Sequence, residues 1–154
     1  MSDIVNSEVR SRMMSGIRCK DTKPEIIIRH HLHALGYRYL LHDKRKPGKP
    51  DMVFPKYNAV IFVHGCFWHG HDCCLFKWPQ TNQDFWRIKI EKNKQKDIEN
   101  HIKLINAGWR VMVIWECALK GRSRMKIDKI IQITSEWLCS SELQSEIRSK
   151  TGVH

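Results

Sequence analysis

The densest group of reactive side chains lies in an eleven-residue segment that ends at Cys74 and holds three histidines and three cysteines. Within it, the spacing Cys66-x4-His71-x-Cys73 offers three ligands of the kind that zinc binds, and zinc takes four such ligands tetrahedrally. Cys117, directly after an apolar run, is the candidate fourth ligand, and Cys74 is its competitor. The spacing predicts a zinc site, and the alternative is a set of buried thiols without a metal.

A second group combines one carboxylate with two imidazoles. Asp51 opens one apolar run and His64 closes the next, so the two side chains meet at one end of the sheet if the runs form a hairpin. A carboxylate there suits a hard cation such as magnesium, which prefers oxygen ligands. His64 and His69 would flank the ion, and an imidazole can take a proton from attacking water. The alternative is that Asp51 only caps a turn and the histidines bind zinc.

Large aromatic residues alternate with cations in the same part of the chain. The aromatic residues are Phe67, Trp68, Trp78, Phe85 and Trp86, and the cations are Lys77, Arg87, Lys89, Lys92, Lys94 and Lys96. Apolar wedges beside cations suit insertion between base pairs. The whole chain has 27 Lys and Arg against 16 Asp and Glu, a net charge of +11. Such an excess favours a polyanionic partner, nucleic acid or anionic lipid.

The elements that must position these residues follow from apolar periodicity and turn signals. Helices are predicted between a cap at Thr22 and a stop at Gly36, over 83–107 and over 126–138. Strands are predicted over 37–41, 51–54, 59–63 and 109–115. A helix between the last two strands favours their parallel pairing, beside the antiparallel hairpin. The predicted fold class is α/β, with a mixed sheet flanked by helices.

The 154 residues are enough for one domain. Residues 1–20 are polar and basic and predict an arm that can lie along phosphates, residues 21–140 the main domain, and residues 141–154 a tail. No apolar run approaches the ~18 residues of a membrane span, and the first residues lack the pattern of a secretory signal. We therefore expect a cytoplasmic protein with no membrane partner and with reduced cysteines.

Five segments closely resemble the very-short-patch-repair DNA mismatch endonucleases. They are RSRMMS (10–15), KDTKPE (20–25), PGKPD (47–51), VHGCFWH (63–69) and VIWECAL (113–119). The resemblance runs from about residue 8 to residue 139, and its block at 63–73 is highly specific. It implies a restriction-endonuclease-like fold, with residues 21–140 as the catalytic domain and residues 1–20 as an arm that clamps the duplex. It also implies an enzyme that nicks one DNA strand 5′ to the thymine of a T:G mismatch, the product of 5-methylcytosine deamination.

The resemblance also implies partners. They are duplex DNA with a T:G mismatch, a cytosine-5 methyltransferase that acts alongside, and mismatch-repair proteins of the MutL type, with the protein itself a monomer. The main alternative is a non-catalytic, zinc-stabilised DNA-binding module. A thiol redox protein that uses Cys73 and Cys74, and a restriction enzyme that cuts both strands, are further alternatives.

The resemblance assigns catalytic roles residue by residue. Asp51 and the backbone carbonyl of Val63 would bind Mg²⁺, His69 would be the general base, and His64 would support the scissile phosphate. Glu25 would orient water at the metal, although a capping box also explains a glutamate three residues after Thr22. The acidic-x-Lys signature usual in this fold is replaced here by Phe62-x-His64.

The remaining roles concern DNA and zinc. Phe67, Trp68 and Trp86 would enter the base stack beside the mismatch. Lys89 and Asn93, one helical turn apart, are candidates for reading base edges in the major groove. Zinc would be structural and would tie the segment that carries His69 to the strand end at Cys117.

Overall fold

The computed structural model describes residues 22–149, and within them three α-helices and five strands follow in chain order. The helices are α1 (Lys23–Ala34), α2 (Gln83–Asn106) and α3 (Ile127–Leu138). The strands are β1 (Leu40–Leu41), β2 (Met52–Phe54), β3 (Ala59–His64), β4 (Arg110–Trp115) and β5 (Gln144–Ile147). Short 3-10 turns follow β2 (Pro55–Tyr57) and β4 (Glu116–Ala118).

The strands form one mixed sheet in the order β1-β2-β3-β4-β5. β2 pairs antiparallel with β1 and with β3, whereas β4 pairs parallel with β3 and with β5. The long helix α2 is the crossover between the parallel strands β3 and β4, and parallel neighbours need such a connection. The predicted hairpin and the predicted parallel pairing are both confirmed.

Helices cover both faces of this sheet. Ile28 of α1 and Ile130 of α3 share one apolar cluster with Ile61 of β3. Leu104 of α2 packs on the opposite face, in a cluster with Phe62 of β3. Neighbouring residues of β3 join different clusters because successive side chains of a strand point to opposite faces. The predicted α/β class, a mixed sheet flanked by helices, is confirmed.

Helix α1 begins as the capping pattern predicts. The Thr22 hydroxyl accepts the Glu25 N–H at 3.4 Å, and Pro24 occupies the first turn. Ile28 and Leu32 are fully buried, and Glu25, on the same face, is only 1% exposed. The helix therefore carries a carboxyl group into the interior of the protein.

Helix α2 is polar over most of its length. Its buried residues are Ile90 and Leu104, whereas Ile88, Ile98 and Ile102 are each more than half exposed. Helix α2 therefore packs on the sheet through a narrow apolar stripe, and its other faces carry cations and polar groups.

Two segments have a secondary structure that differs from the expectation. The strand expected at 37–41 is reduced to β1, because the Tyr37 N–H donates to the Leu32 carbonyl and continues the turn that ends α1. The tail expected at 141–154 contains β5, an edge strand parallel to β4. Its sequence, QSEI, has a single apolar residue and shows no alternation that predicts a strand.

The N-terminal arm predicted for residues 1–20 lies outside the described part of the chain. Between residues 22 and 149, no helix combines the length and the apolar character that crossing a bilayer requires.

Candidate active site and metal centre

Asp51 and the end of β3 meet at one end of the sheet, as the predicted hairpin requires. Met52 pairs with Ile61, and just beyond this pair the Asp51 Oδ2 accepts the Val63 N–H at 2.6 Å. The His42 N–H donates to the Asp51 carbonyl oxygen at 3.2 Å. Hydrogen bonds from two neighbouring segments therefore fix the position of this aspartate.

Glu25, His42 and Asp51 form a carboxylate cluster, whose ligand-type atoms lie within 4.8 Å of one another. The Glu25 Oε2 is 2.5 Å from the His42 Nε2 and 2.9 Å from a guanidinium nitrogen of Arg29. Burial, together with the nearby Glu25, raises the pKa of Asp51 to about 8, although the Val63 N–H opposes this shift. A bound cation would favour the ionised form of both buried carboxyl groups.

Next to this cluster, two imidazole rings stack on each other. The His64 and His69 rings are parallel within 2°, with centroids 3.7 Å apart. The His69 Nδ1 lies 2.6 Å from the Asp97 Oδ2. Since a carboxylate only accepts hydrogen bonds, Nδ1 carries the proton and the Nε2 of a neutral ring is free to accept one. Burial, and to a smaller extent the neighbouring His69 imidazole, lower the pKa of His64 well below its usual value, so His64 is neutral at pH 7.

Sequence reasoning missed Asp97. It lies on α2 one turn after Asn93, so the two residues share a helix face. That spacing is the only sequence signal, and α2 carries other acidic residues such as Glu91 and Glu99 with nothing to rank them. Only the tertiary contact with His69 distinguishes Asp97.

A cavity of about 650 Å³ lies against these groups. Asp51, His64, His69 and Asp97 are on its wall. Four lysines share that wall: Lys44, Lys46, Lys49 and Lys96. The first three come from the connection between β1 and β2, and the fourth comes from α2. Lysines around a carboxylate and imidazoles suit a phosphate group of a polyanion.

The four predicted zinc ligands converge in a second site, the Cys/His cluster. The ligand atoms of Cys66, His71, Cys73 and Cys117 lie within 4.8 Å of one another. The His71 Nδ1 is 3.6 Å from the Cys66 Sγ and 3.5 Å from the Cys117 Sγ. Tetrahedral zinc, with bonds of about 2.3 Å to sulfur and about 2.0 Å to nitrogen, separates such atoms by about 3.5 Å. Cys117 therefore completes the cluster, and its competitor Cys74 is exposed outside it.

Backbone amides support the sulfur atoms of this cluster. The Cys117 N–H donates to the Cys66 Sγ at 3.3 Å, and the Ser149 N–H donates to the Cys117 Sγ at 3.4 Å. Burial, and then the neighbouring Cys117, raise the pKa of the Cys66 thiol. Amide donors and a divalent ion both stabilise thiolates. Ser149 follows β5, so the segment predicted as a tail closes this site.

The three predicted wedge residues form one aromatic cluster. Ring centroids are 5.3 Å apart for Phe67 and Trp68, 5.3 Å for Phe67 and Trp86, and 5.7 Å for Trp68 and Trp86. The Asn93 Nδ2 donates to the Trp68 carbonyl oxygen at 2.8 Å, so this amide also fixes the aromatic segment. Lys89 is exposed on α2, one turn before Asn93.

Comparisons with known proteins agree on one family. The model of the family described as DNA mismatch endonuclease Vsr matches residues 2–75. The chain is 38% identical over 154 residues to DNA mismatch endonuclease Vsr of Escherichia coli, covering 100% of this chain and 98% of that protein. This match includes the residues after 139, whereas the resemblance carried by the five segments ends at residue 139.

Two further relatives are named as nicking enzymes. Type II nicking enzyme V.NmeAIP of Neisseria meningitidis is 44% identical over 134 residues, which cover 86% of this chain and 96% of the relative. Type II nicking enzyme V.XorIIP of Xanthomonas oryzae pv. oryzae is 46% identical over 134 residues, with coverages of 83% and 98%. The chain therefore belongs to the DNA mismatch endonuclease Vsr family.

Proposed function

We propose that this protein is a DNA endonuclease that nicks one strand of duplex DNA 5′ to the thymine of a T:G mismatch. The observation that carries the proposal is that Asp51 and the hydrogen-bonded pair of His69 and Asp97 line one lysine-bearing cavity. Such a cavity offers an oxygen ligand for a cation, a proton acceptor and positive charge for the phosphate. The printed names of the relatives, mismatch endonuclease and nicking enzyme, support the same activity.

Asp51 and the backbone carbonyl of Val63 are the proposed magnesium ligands. The N–H and C=O of a strand residue point to the same side, so the bond from the Val63 N–H to Asp51 puts the Val63 carbonyl on the side of Asp51. A buried carboxyl and a carbonyl oxygen match the oxygen donors that Mg²⁺ prefers. When bound, magnesium supplies charge neutralisation at the phosphate.

The protein's own groups handle the protons. Asp97 holds the Nδ1 proton of His69, and the Nε2 of that ring accepts a proton from the attacking water. His64, neutral and stacked on His69, donates or accepts a hydrogen bond at the scissile phosphate without adding a second charge beside His69. Glu25, buried beside Asp51, orients water at the same site.

The Cys/His cluster is proposed to hold a structural zinc ion. Four protein ligands leave no open coordination position, which is the pattern of structural zinc. The ion would join the segment that contains Phe67 and His69 to the end of β4 at Cys117. Zinc would therefore fix the aromatic cluster and the general base relative to the sheet.

Mismatch selectivity is assigned to the aromatic cluster and α2. Phe67, Trp68 and Trp86 would enter the stack, and a mispaired base costs less to unstack than a Watson–Crick pair. Lys89 and Asn93 are proposed to contact base edges. The Asn93 Nδ2 donates to the Trp68 carbonyl oxygen, so its Oδ1 is the atom available to accept a hydrogen bond from a base. The substrate arises by deamination of 5-methylcytosine, so we propose a functional pairing with a cytosine-5 methyltransferase.

The test is incubation of the zinc-loaded full chain with Mg²⁺ and end-labelled duplexes that carry T:G, C:G or another pair at one site. We expect nicking of the T strand of the T:G duplex alone. Asp51→Asn keeps an oxygen for the Val63 N–H, so it should retain DNA binding while nicking falls about 1000-fold or more. Asp128→Asn, on α3 and outside the cavity, is the control and should nick normally.

Other outcomes select the alternatives. Cleavage of both strands of a C:G duplex would indicate a restriction enzyme. Mismatch binding without any nicking would indicate a zinc-stabilised DNA-binding module. Joint loss of folding and nicking in Asp51→Asn would indicate that Asp51 is structural.

A further inference from the structure

We infer that His42 supplies a nitrogen ligand to the cation at Asp51, and that this ligand makes the site prefer Mn²⁺ over Mg²⁺. The inference concerns the metal site of the proposed function and rests on it for the catalytic use of that site. The metal preference itself is a binding property, which can be measured without DNA.

The position of the His42 ring carries the first step. Its Nε2 lies 2.5 Å from the Glu25 Oε2, and one ligand-type atom from each of Glu25, His42 and Asp51 lies within 4.8 Å of the other two. The His42 side chain is 17% exposed and the Glu25 side chain 1%. One imidazole and two carboxyl groups therefore face one small, mostly buried space, and a cation that binds Nε2 releases to solvent the proton that this nitrogen shares with Glu25.

The backbone at His42 carries the second step. The His42 N–H donates to the Asp51 carbonyl oxygen at 3.2 Å, which ties the two ligand residues to each other. His42 has a φ of +49°, a left-handed conformation that histidine adopts more often than most residues other than glycine. Here the chain turns out of β1 and leaves the imidazole beside the two carboxyl groups.

The surrounding cavity points to a ligand in a third, independent way. His42, Asp51 and His64 line the same cavity. His64 is 6% exposed, and its Nδ1 finds no hydrogen-bond partner among residues 22–149. A buried ring nitrogen without a protein partner is usually satisfied by water or a bound ligand, so His64 supports occupation of the space beside it.

Ligand chemistry then determines the preference. Mg²⁺ requires oxygen ligands and keeps several waters, whereas imidazole nitrogen is a better ligand for transition metals. The rival role for His42 is only to hold Glu25 in place by a hydrogen bond. Arg29 already pairs with Glu25 at 2.9 Å, so the carboxylate has a cationic partner apart from His42.

His42→Gln separates the two roles. Its amide can still donate to Glu25, and it replaces the ring nitrogen by an oxygen that Mg²⁺ accepts. We expect the Kd for Mn²⁺ to rise about tenfold, with the Kd for Mg²⁺ changed less than about threefold. Mn²⁺ binding to the zinc-loaded full chain is measured by electron paramagnetic resonance, and Mg²⁺ binding by its competition with Mn²⁺.

Pulsed spectra of the Mn²⁺ complex give a readout that a purely positioning role would not change. Wild-type protein should show coupling to ¹⁴N, which changes to ¹⁵N coupling when the histidines are ¹⁵N-labelled and disappears in His42→Gln. His30→Gln, an exposed histidine on α1, is the matched control and should keep both the coupling and the affinity.

Three results would overturn the inference: a wild-type complex without nitrogen coupling, coupling that survives in His42→Gln, or an unchanged ratio of Mn²⁺ to Mg²⁺ affinity. If His42→Gln does not fold, the wild-type spectra and His42→Asn decide the question. A protein that shows the predicted Mn²⁺ shift but nicks no DNA would refute the proposed function and leave this inference standing. Normal T:G nicking by the wild-type protein, with no change of Mn²⁺ affinity in His42→Gln, would refute this inference and leave the proposed function standing.

Discussion

The Cys/His cluster and the carboxylate cluster lie near the same end of the sheet but differ in their openness. The Cys/His cluster brings four ligand-type side chains together, and Cys66 and Cys117 are fully buried. The carboxylate cluster has three potential ligands, and two of these, His42 and Asp51, line a cavity of about 650 Å³. Ligand count and access to space, rather than place in the fold, distinguish a structural ion site from one that can admit a substrate.

This difference predicts two kinds of variant. Substitution of a proposed zinc ligand in the Cys/His cluster should lower the free energy of unfolding, because an ion bound there stabilises only the folded chain. Losing a group beside the cavity, such as the Asp97 carboxylate, should lower activity more than stability, because Asp97 is 24% exposed and an isosteric amide can still hydrogen-bond to His69. Activity and stability measured together therefore test the comparison.

The largest expected effect comes from Cys117→Ser. The Cys117 Sγ contacts the His71 Nδ1 at 3.5 Å and accepts the Ser149 N–H, so its removal opens the cluster. We expect the zinc content to fall far below one equivalent and Tm to drop by about 10 °C, since a loss of about 3 kcal/mol shifts a domain of this size by that amount. Elemental analysis and thermal denaturation provide the measurements.

Cys74→Ser is the matched control for that variant. Cys74 is exposed beside the ligand Cys73 and lies outside the cluster, so the substitution should retain zinc and Tm. If Cys74→Ser lost the ion and Cys117→Ser kept it, the closed cluster would be wrongly assigned.

At the wall of the cavity, Asp97→Asn should reduce nicking at least about 100-fold while Tm changes by no more than about 4 °C. An asparagine at 97 can donate to the His69 Nδ1, which favours the tautomer whose Nε2 is already protonated. Single-turnover nicking of a T:G duplex measures the effect.

A double variant tests whether Asp97 acts through His69. Adding Asp97→Asn to His69→Ala should cause no further loss of nicking, because residues that work as a unit are not additive. An additional 100-fold loss would mean that Asp97 acts independently of the imidazole.

The residues of the Cys/His cluster were easier to identify from the sequence than those of the carboxylate cluster. Cys66, His71 and Cys73 lie close together in the chain, and few residue types bind zinc, so spacing alone was informative. In the structure Cys117, at the end of β4, lies in the cluster, and Cys74 is exposed outside it.

The carboxylate cluster and the His69–Asp97 pair beside it depend on contacts that spacing does not encode. Asp97 and His42 resemble many other polar residues of a helix and a turn, and only packing brings them to His69 and Glu25. β5 was missed for a related reason, since an edge strand with one apolar residue is defined by its pairing with β4. Periodicity identifies buried elements well and identifies polar partners poorly.

A smaller effect is expected at the aromatic cluster. Trp86→Ala removes a ring in contact with Phe67 and Trp68 and should weaken binding to T:G duplexes about 10- to 100-fold, in line with about 1–3 kcal/mol for each stacked base. Trp78→Ala is the control, because Trp78 is 45% exposed and makes an edge-to-face contact with Phe76 instead. Equal losses in both variants would show that general aromatic content, and not this cluster, binds the mismatch.

The smallest effect should follow from removing one cavity lysine. Lys96→Gln should weaken DNA binding several-fold, and it should make the slope of log Kd against log salt shallower by about 1, the value for one phosphate contact. Lys103→Gln, further along α2 and away from the cavity wall, should leave that slope unchanged. Because neither residue touches the Cys/His cluster, both variants should keep zinc and Tm. A change in Tm for Lys96→Gln would mean that the groups around the cavity also stabilise the fold. Stability and activity would then not be separated between the Cys/His cluster and the cavity.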